Sequence, residues 1–129
     1  MAALLLTLAA GPVGAVELER VDIDRAAELL AAEDDLVVLD VRTPGEFEAI
    51  HIAAARNIDI DGEDFRARVA TLDRETPYLV HCAAGIPGGR SERSVEILQE
   101  LGFAEIYHLE GGINAWKNAG RKVEGTAAE

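Results

Sequence analysis

The chain has 129 residues, enough for one domain with a buried core, and 49% of them are hydrophobic, which excludes a disordered chain. Its 24 acidic against 12 basic residues give a formal net charge of −12, which argues against a nucleic-acid surface and reads as a solubility feature. A single cysteine, Cys82, excludes an intramolecular disulfide and a CxxC pair, and His51, His81 and His108 lack the close spacing of a metal motif, so no metal or organic cofactor is expected.

Residues 1–15 read as an apolar leader. Met1 to Val16 carries no charge, Ala3 to Ala10 is continuously apolar apart from Thr7, and Val13-Gly14-Ala15 offers small residues for cleavage. The positive start of a secretory signal is missing, and the run is too short to span a bilayer, so no stable membrane span is expected. The expectation is a periplasmic or secreted protein. The alternative is a cytoplasmic one, with the run forming a short buried helix.

From Val16 the chain alternates strand and helix signals. Val16-Glu17-Leu18-Glu19-Arg20-Val21 alternates as a half-exposed strand. Asp24 to Ala32 predicts a helix capped by Asp22 or Asp24, and Leu36-Val37-Val38-Leu39 predicts a strand buried on both faces. Thr43-Pro44-Gly45-Glu46 is a helix start with a capping box. Arg56 to Ile60 predicts a strand, Gly62 to Leu72 a helix, and Tyr78 to His81 a strand led in by Pro77. Val95, Leu98 and Leu101 mark a helix face that stops at Gly102. Ile106 to Leu109 is the last strand, and Gly111-Gly112 turns the chain into a helix over Ile113 to Ala119 that stops at Gly120. Repeated β-α units predict a mainly parallel sheet with helices on both faces. The domain is expected over residues 16–122, with a flexible tail at 123–129.

Cys82 stands where the Tyr78 to His81 strand ends and a glycine-rich loop, Ala83 to Gly89, leads into a helix. Functional sites of such sheets lie beyond the carboxyl ends of the strands. Loop N–H groups and a helix N-terminus favour an anion there, so the thiol is expected to be partly ionised near neutrality and nucleophilic.

Three motifs then carry a resemblance. Asp40-Val41-Arg42-Thr43-Pro44-Gly45-Glu46-Phe47 looks like the DVR-x-x-x-E-[FY] motif of rhodanese-like domains. His51-Ile52-Ala53-Ala54-Ala55-Arg56-Asn57-Ile58 resembles their GHIPGAxNI motif, and Leu109-Glu110-Gly111-Gly112-Ile113-Asn114-Ala115-Trp116 their LxGGxxAW ending. The Cys82 loop lies where the family puts its catalytic cysteine. The resemblance implies a single rhodanese domain around a five-stranded parallel sheet. It implies an enzyme that moves a sulfane sulfur from thiosulfate or a similar small anion to cyanide, a thiol or a protein sulfur acceptor, through a Cys82 persulfide. An exported single-domain member would be similar to the small periplasmic sulfurtransferases of the family.

By that resemblance, loop residues Ala83, Ala84, Gly85, Ile86, Gly88, Gly89 and Ser91 would cradle the anion, the three glycines supplying positive φ. Ser91 would cap the following helix or offer its hydroxyl to the anion. Arg90 would hold the sulfonate end of the donor. Asp40 and Arg42 are expected to form an ion pair that orients the loop, with Arg42 also a candidate for direct substrate contact. His51, His81 and Trp116 are expected to be structural. The sequence departs from the family in the Cys loop, where seven residues instead of the usual four separate cysteine and arginine, Ile86-Pro87-Gly88 reading as an insertion. Ile50 also stands in place of Gly, and Ala53-Ala54 in place of Pro-Gly. Two rival readings follow: a phosphatase or arsenate reductase of the same fold, which carries a C-x5-R loop often preceded by His, and a non-catalytic binding or sulfur-carrier module.

Overall fold

The computed structural model describes residues 17–128, so the leader expected at residues 1–15 lies outside the described residues. Five strands form one sheet in the order β1-β5-β4-β2-β3, and every pair in it is parallel. They are β1 (Glu17–Val21), β2 (Val37–Asp40), β3 (Arg56–Asn57), β4 (Tyr78–His81) and β5 (Glu105–Leu109). The helices are α1 (Ile23–Ala32), α2 (Pro44–Ala49), α3 (Phe65–Val69), α4 (Arg90–Glu100) and α5 (Gly112–Asn118). None of them is long and apolar enough to cross a membrane.

Helices cover both faces, as the alternating signals predict. One core joins Leu39, Tyr78, Val80 and Ile106 of the strands to Phe65 and Val69 of α3 and Val95 and Leu98 of α4. The other joins Val38, Leu79, Tyr107 and Leu109 to Ala26 and Leu29 of α1 and Ile113 and Trp116 of α5. The period-2 alternation of the strands decides which side chain enters which core. β4 is buried throughout, as a central parallel strand must be, whereas β1 at the edge is exposed at most positions.

Local chemistry sets the helix ends. Asp22 caps α1 by accepting the Arg25 N–H at 2.9 Å. Thr43 and Glu46 form the expected capping box on α2. Gly102 takes φ +86 after α4, and the Phe103 N–H reaches the Leu98 carbonyl at 3.1 Å, the bond that closes a Schellman motif. Gly120 ends α5 the same way, with Arg121 N–H on Trp116 O at 3.1 Å.

Two expected elements are shorter than their sequence patterns. The strand expected over Arg56 to Ile60 pairs only at Arg56–Asn57. The helix expected over Gly62 to Leu72 spans only Phe65–Val69. Asp59 and Asp64 are responsible. The Asp59 carboxylate accepts the Asp61 N–H and its carbonyl accepts the Gly62 N–H, which makes a turn, and Asp64 sits in the left-handed region at φ +60.

Of the tail expected to be flexible at 123–129, residues 124–127 are tied down in the structure. His51 and Glu124 exchange backbone hydrogen bonds of 2.8 Å, and the N–H groups of Thr126 and Ala127 bond to the carbonyls of Glu48 and Ala49. The carbonyls at the open end of α2 need donors, and the returning chain supplies them.

Candidate active site

The chain leaves β2 toward the edge strand β3 and returns to β4 on the other side of β2. A crevice therefore opens past the carboxyl ends of β2 and β4, the switch point where open α/β sheets place their sites. Asp40 ends β2, and His81 ends β4 immediately before Cys82. The expected Cys82 site falls in this crevice.

The diglycine before α5 shapes the Cys82 loop from behind. The Ile113 and Asn114 N–H groups bond to the carbonyls of Cys82 and Ala83, each at 3.0 Å. These are free donors of the first turn of α5, and they hold two loop carbonyls away from the sulfur. Only glycine fits such an approach. Gly112 has φ +60, and a Cβ on it would lie 2.4 Å from the Ala83 oxygen.

Burial alone would push the Cys82 thiol up, yet its pKa lies below the ordinary value. The largest opposing influence is the Ser91 hydroxyl, 3.3 Å from Sγ, followed by the backbone N–H groups of Gly85, Ser91 and Ala84. Of the expected cradle, the Ala84, Gly85 and Ser91 N–H groups act on the sulfur and a side-chain hydroxyl leads them, whereas the Gly88 and Gly89 N–H groups are taken by Glu92 and Ile86 O. Cys82 retains only 4% of its surface and joins the apolar core beneath α3 and α4.

The loop expectation needs two corrections. Gly85 and Gly88 have positive φ, but Gly89 does not: it is extended at φ −80, and its small size matters because a Cβ would lie 2.9 Å from the Ile86 oxygen. Ser91 does not cap α4, whose N-cap is Gly89. Its hydroxyl instead lies 2.7 Å from Nε2 of His108, besides its contact with Sγ.

The three extra residues form a turn that bulges outward. Ile86-Pro87-Gly88-Gly89 is closed by the Gly89 N–H on Ile86 O at 3.0 Å, with Gly88 at φ +73. Pro second and a positive-φ Gly third make it a type II turn, a signal present in the sequence. The Gly88 N–H is held by the Glu92 carboxylate, and the Ile86 side chain is 59% exposed.

The two arginines separate. Arg42 is buried, and its Nε and Nη2 bond to the two oxygens of Asp40 at 2.9 and 2.7 Å. Nη2 also reaches Ile50 O at 2.7 Å. Arg42 therefore clamps the end of β2 to the chain after α2, as the ion-pair expectation had it. Direct substrate contact, the other expectation for Arg42, does not fit this placement, because its fork is taken up by the scaffold. Arg90 opens α4 and is partly exposed. Its Nη1 and Nη2 grip both oxygens of Glu46 at 2.8 and 3.1 Å. That contact with Arg90, helped by the Thr43 N–H and hydroxyl, pulls the Glu46 carboxyl down to about 2 against the effect of burial.

His81 points to the other side of the strand, as expected. Its Nδ1–H donates to Cys82 O at 3.0 Å, and Nε2, without a hydrogen-bond partner, lies 3.6 Å from Asp40. His51 stacks on Phe47 and donates to its carbonyl at 2.8 Å, and Trp116 is core. The sequence did not mark Glu46 as the partner of Arg90, nor His108 and Arg20 behind Ser91.

Fold and site together define an α/β domain of rhodanese type, with one thiol held in a donor-lined loop at the switch point. The chain belongs to the rhodanese-like domain family, whose model matches residues 22–119. The thiosulfate sulfurtransferase GlpE of Pseudomonas fluorescens (strain Pf0-1) is 30% identical over 101 residues, 78% of this chain and 86% of the relative. A rhodanese-related protein of Thermoplasma volcanium superposes with a TM-score of 0.69 at 35% identity, over 82% of this chain and 97% of that one. A Rhodopseudomonas palustris protein named as a possible tyrosine phosphatase superposes at 0.66 with 26% identity, over 83% and 85% of the two chains.

Proposed function

We propose that the protein is a sulfurtransferase that carries a sulfane sulfur on Cys82 as a persulfide. The Cys82 thiolate attacks the outer sulfur of thiosulfate, the donor's S–S bond breaks, and sulfite leaves with the bonding pair. The Sγ–S⁻ persulfide then passes its outer sulfur to cyanide, a thiol or a protein acceptor, and the thiolate is regenerated. Both forms of the site are anionic, and the Ser91 hydroxyl with the Ala84, Gly85 and Ser91 N–H groups suits both. Arg90, whose terminal nitrogens both lie on the partly exposed Glu46 carboxylate, would turn to the donor's sulfonate on exchanging that partner.

One observation favours this reading over ester cleavage. The site stabilises an anion, and among the described residues the two carboxyl groups bonded to the loop and to Arg90 are held ionised. Glu46 stays ionised to about pH 2, and Glu92, held by the Gly88 N–H, is also lowered. An alkoxide leaving group needs a proton at neutral pH, whereas sulfite does not. The test is turnover of thiosulfate and cyanide to thiocyanate, set against hydrolysis of an aryl phosphate. Hydrolysis without thiocyanate would transfer the site to the phosphatase reading. Export belongs to the same proposal and rests on residues 1–15 alone; N-terminal sequencing of protein recovered from the periplasm tests it.

Glu46 competes with the donor for Arg90. Glu46→Gln keeps an oxygen for Arg90 and for the capping box but removes a negative charge beside the anion. The expected result is a KM for thiosulfate about threefold lower with kcat nearly unchanged, the size of a partly screened charge interaction. The pair also has a pH signature. A carboxyl lowered in the folded state stabilises the fold above its ordinary range and loses that contribution as pH falls toward about 2. The Glu46→Gln variant should therefore show a shallower loss of stability between pH 4.5 and about 2 than the parent protein.

A further inference from the structure

Behind Ser91 a chain of polar groups runs out of the loop. Ser91 is fully buried, and among the described residues its hydroxyl has two partners, Cys82 Sγ at 3.3 Å and His108 Nε2 at 2.7 Å. The other ring nitrogen of His108, Nδ1, lies 3.1 Å from Nη1 of Arg20. Arg20 and His108 are register partners on β1 and β5, so they share one face of the sheet. Arg20 Nη2 continues to Glu92 at 3.4 Å, the same carboxylate that holds the Gly88 N–H of the outward turn.

Donor and acceptor logic fixes the hydrogens. A guanidinium only donates, so Nδ1 of His108 must accept. The neutral ring then carries its hydrogen on Nε2 and donates it to the Ser91 oxygen. The single hydrogen of the Ser91 hydroxyl is left to point at Sγ, where it meets a lone pair of a thiolate. The opposite tautomer would set two donors face to face at Arg20 and draw the Ser91 hydrogen away from sulfur. An imidazolium would have the same clash. The groups facing His108 are Arg20 from β1, Glu92 from α4, Glu110 after β5 and, through Ser91, Cys82; burial first and Arg20 second hold the ring neutral against the two carboxylates.

We propose that His108 is a positioning residue for Cys82: by donating Nε2–H to Ser91 it turns that hydroxyl onto Sγ, and Arg20 sets the tautomer that allows it. The inference rests on Cys82 being a working thiolate but not on which sulfur donor it uses. The arrangement places the control of the nucleophile on β5, the strand next to the edge of the sheet, outside the Cys82 loop.

The test is the rate of Cys82 alkylation by iodoacetamide as a function of pH, measured on the full chain. His108→Leu removes the donor and should shift the midpoint upward, with a rate at neutral pH about tenfold lower, the effect of losing one hydrogen bond that orients a donor to a charged group. His108→Gln keeps an N–H near the position of Nε2 and should stay within about twofold of the parent protein. Arg20→Met alters only a half-exposed side chain, so it tests the tautomer without risk to the core, and it should slow alkylation about threefold in the same direction. A His108→Leu or Arg20→Met midpoint equal to that of the parent would overturn the inference, as would a His108→Gln variant as slow as His108→Leu. An ordinary thiol midpoint in the parent protein itself would instead overturn the thiolate reading beneath it.

Discussion

Cys82→Ser should abolish thiocyanate formation while leaving the fold intact. Serine is close in size, and its hydroxyl can occupy the same place against Ser91 and the loop amides. Its oxygen, however, is not ionised near neutrality and does not form a stable bond to a sulfane sulfur. Turnover should fall by at least about four orders of magnitude, to the uncatalysed background, as it does when a nucleophile is removed from a site with no second one. Thermal unfolding should shift little, which separates lost chemistry from lost structure. Residual turnover within about tenfold of the parent would mean that the sulfur passes directly from donor to acceptor, with no covalent intermediate on the chain.

Arg42→Met should have the largest effect on stability. Asp40 is fully buried, and two of its hydrogen bonds come from the Arg42 guanidinium at 2.9 and 2.7 Å. Removing that partner leaves a charge in the core with the Arg42 N–H at 3.1 Å and the unpartnered His81 Nε2 at 3.6 Å. Breaking one side of a buried pair costs about 3–5 kcal/mol, a large fraction of the roughly 5–15 kcal/mol that holds a small domain. Urea denaturation measures it. The cost should depend on pH with a definite sign. In the parent protein burial, aided by Arg42, holds the His81 imidazole neutral below its ordinary value, while Asp40 opposes them. Without Arg42 that balance moves toward the imidazolium, which can then pair with Asp40. The penalty should accordingly be greatest above the ordinary imidazole value of about 6.5 and shrink below it. Replacing Asp40 by Asn in the same chain should recover part of the loss. A single variant within about 1 kcal/mol of the parent at neutral pH would show that the clamp contributes little.

The parts of the site that could be read in the sequence are those built from neighbours along the chain. The Thr43-Pro44-Glu46 helix start, the buried strand before Cys82 and the glycine stops at Gly102 and Gly120 are local, and the structure carries each of them. The helix expected from Gly62 was too long because the apolar spacing of Phe65, Val69 and Leu72 says nothing about the Asp59 turn that precedes it. The Ile86-Pro87-Gly88 insertion is visible in the sequence, and its Pro-Gly pair is also the local signal for the type II turn. What remained hidden joins distant segments. Glu46 and Arg90 are 44 residues apart, and Arg20 and His108 are 88 apart, meeting only because β1 pairs with β5. The docking of residues 124–127 onto α2 is of the same kind, since nothing in a polar tail shows which open carbonyls it will find.

The loop architecture is what would let a nearly covered cysteine serve in the proposed chemistry. The α5 N-terminus holds two carbonyls away from the sulfur, the extra residues form an exposed turn, and Arg90 is engaged by Glu46. The Ser91 hydroxyl and three backbone N–H groups meet the sulfur on the loop side, and the apolar core lies behind it. Such a site favours a compact anion that offers one atom to the thiolate and then departs without a proton.

Intact-mass analysis after brief exposure to thiosulfate tests this account most directly. One added sulfur atom per chain, mapped to Cys82 and removed by cyanide as thiocyanate, is the result predicted. A Cys82 that alkylates rapidly near neutrality yet gains no sulfur from thiosulfate would contradict the proposed chemistry while leaving the ionised thiol in place.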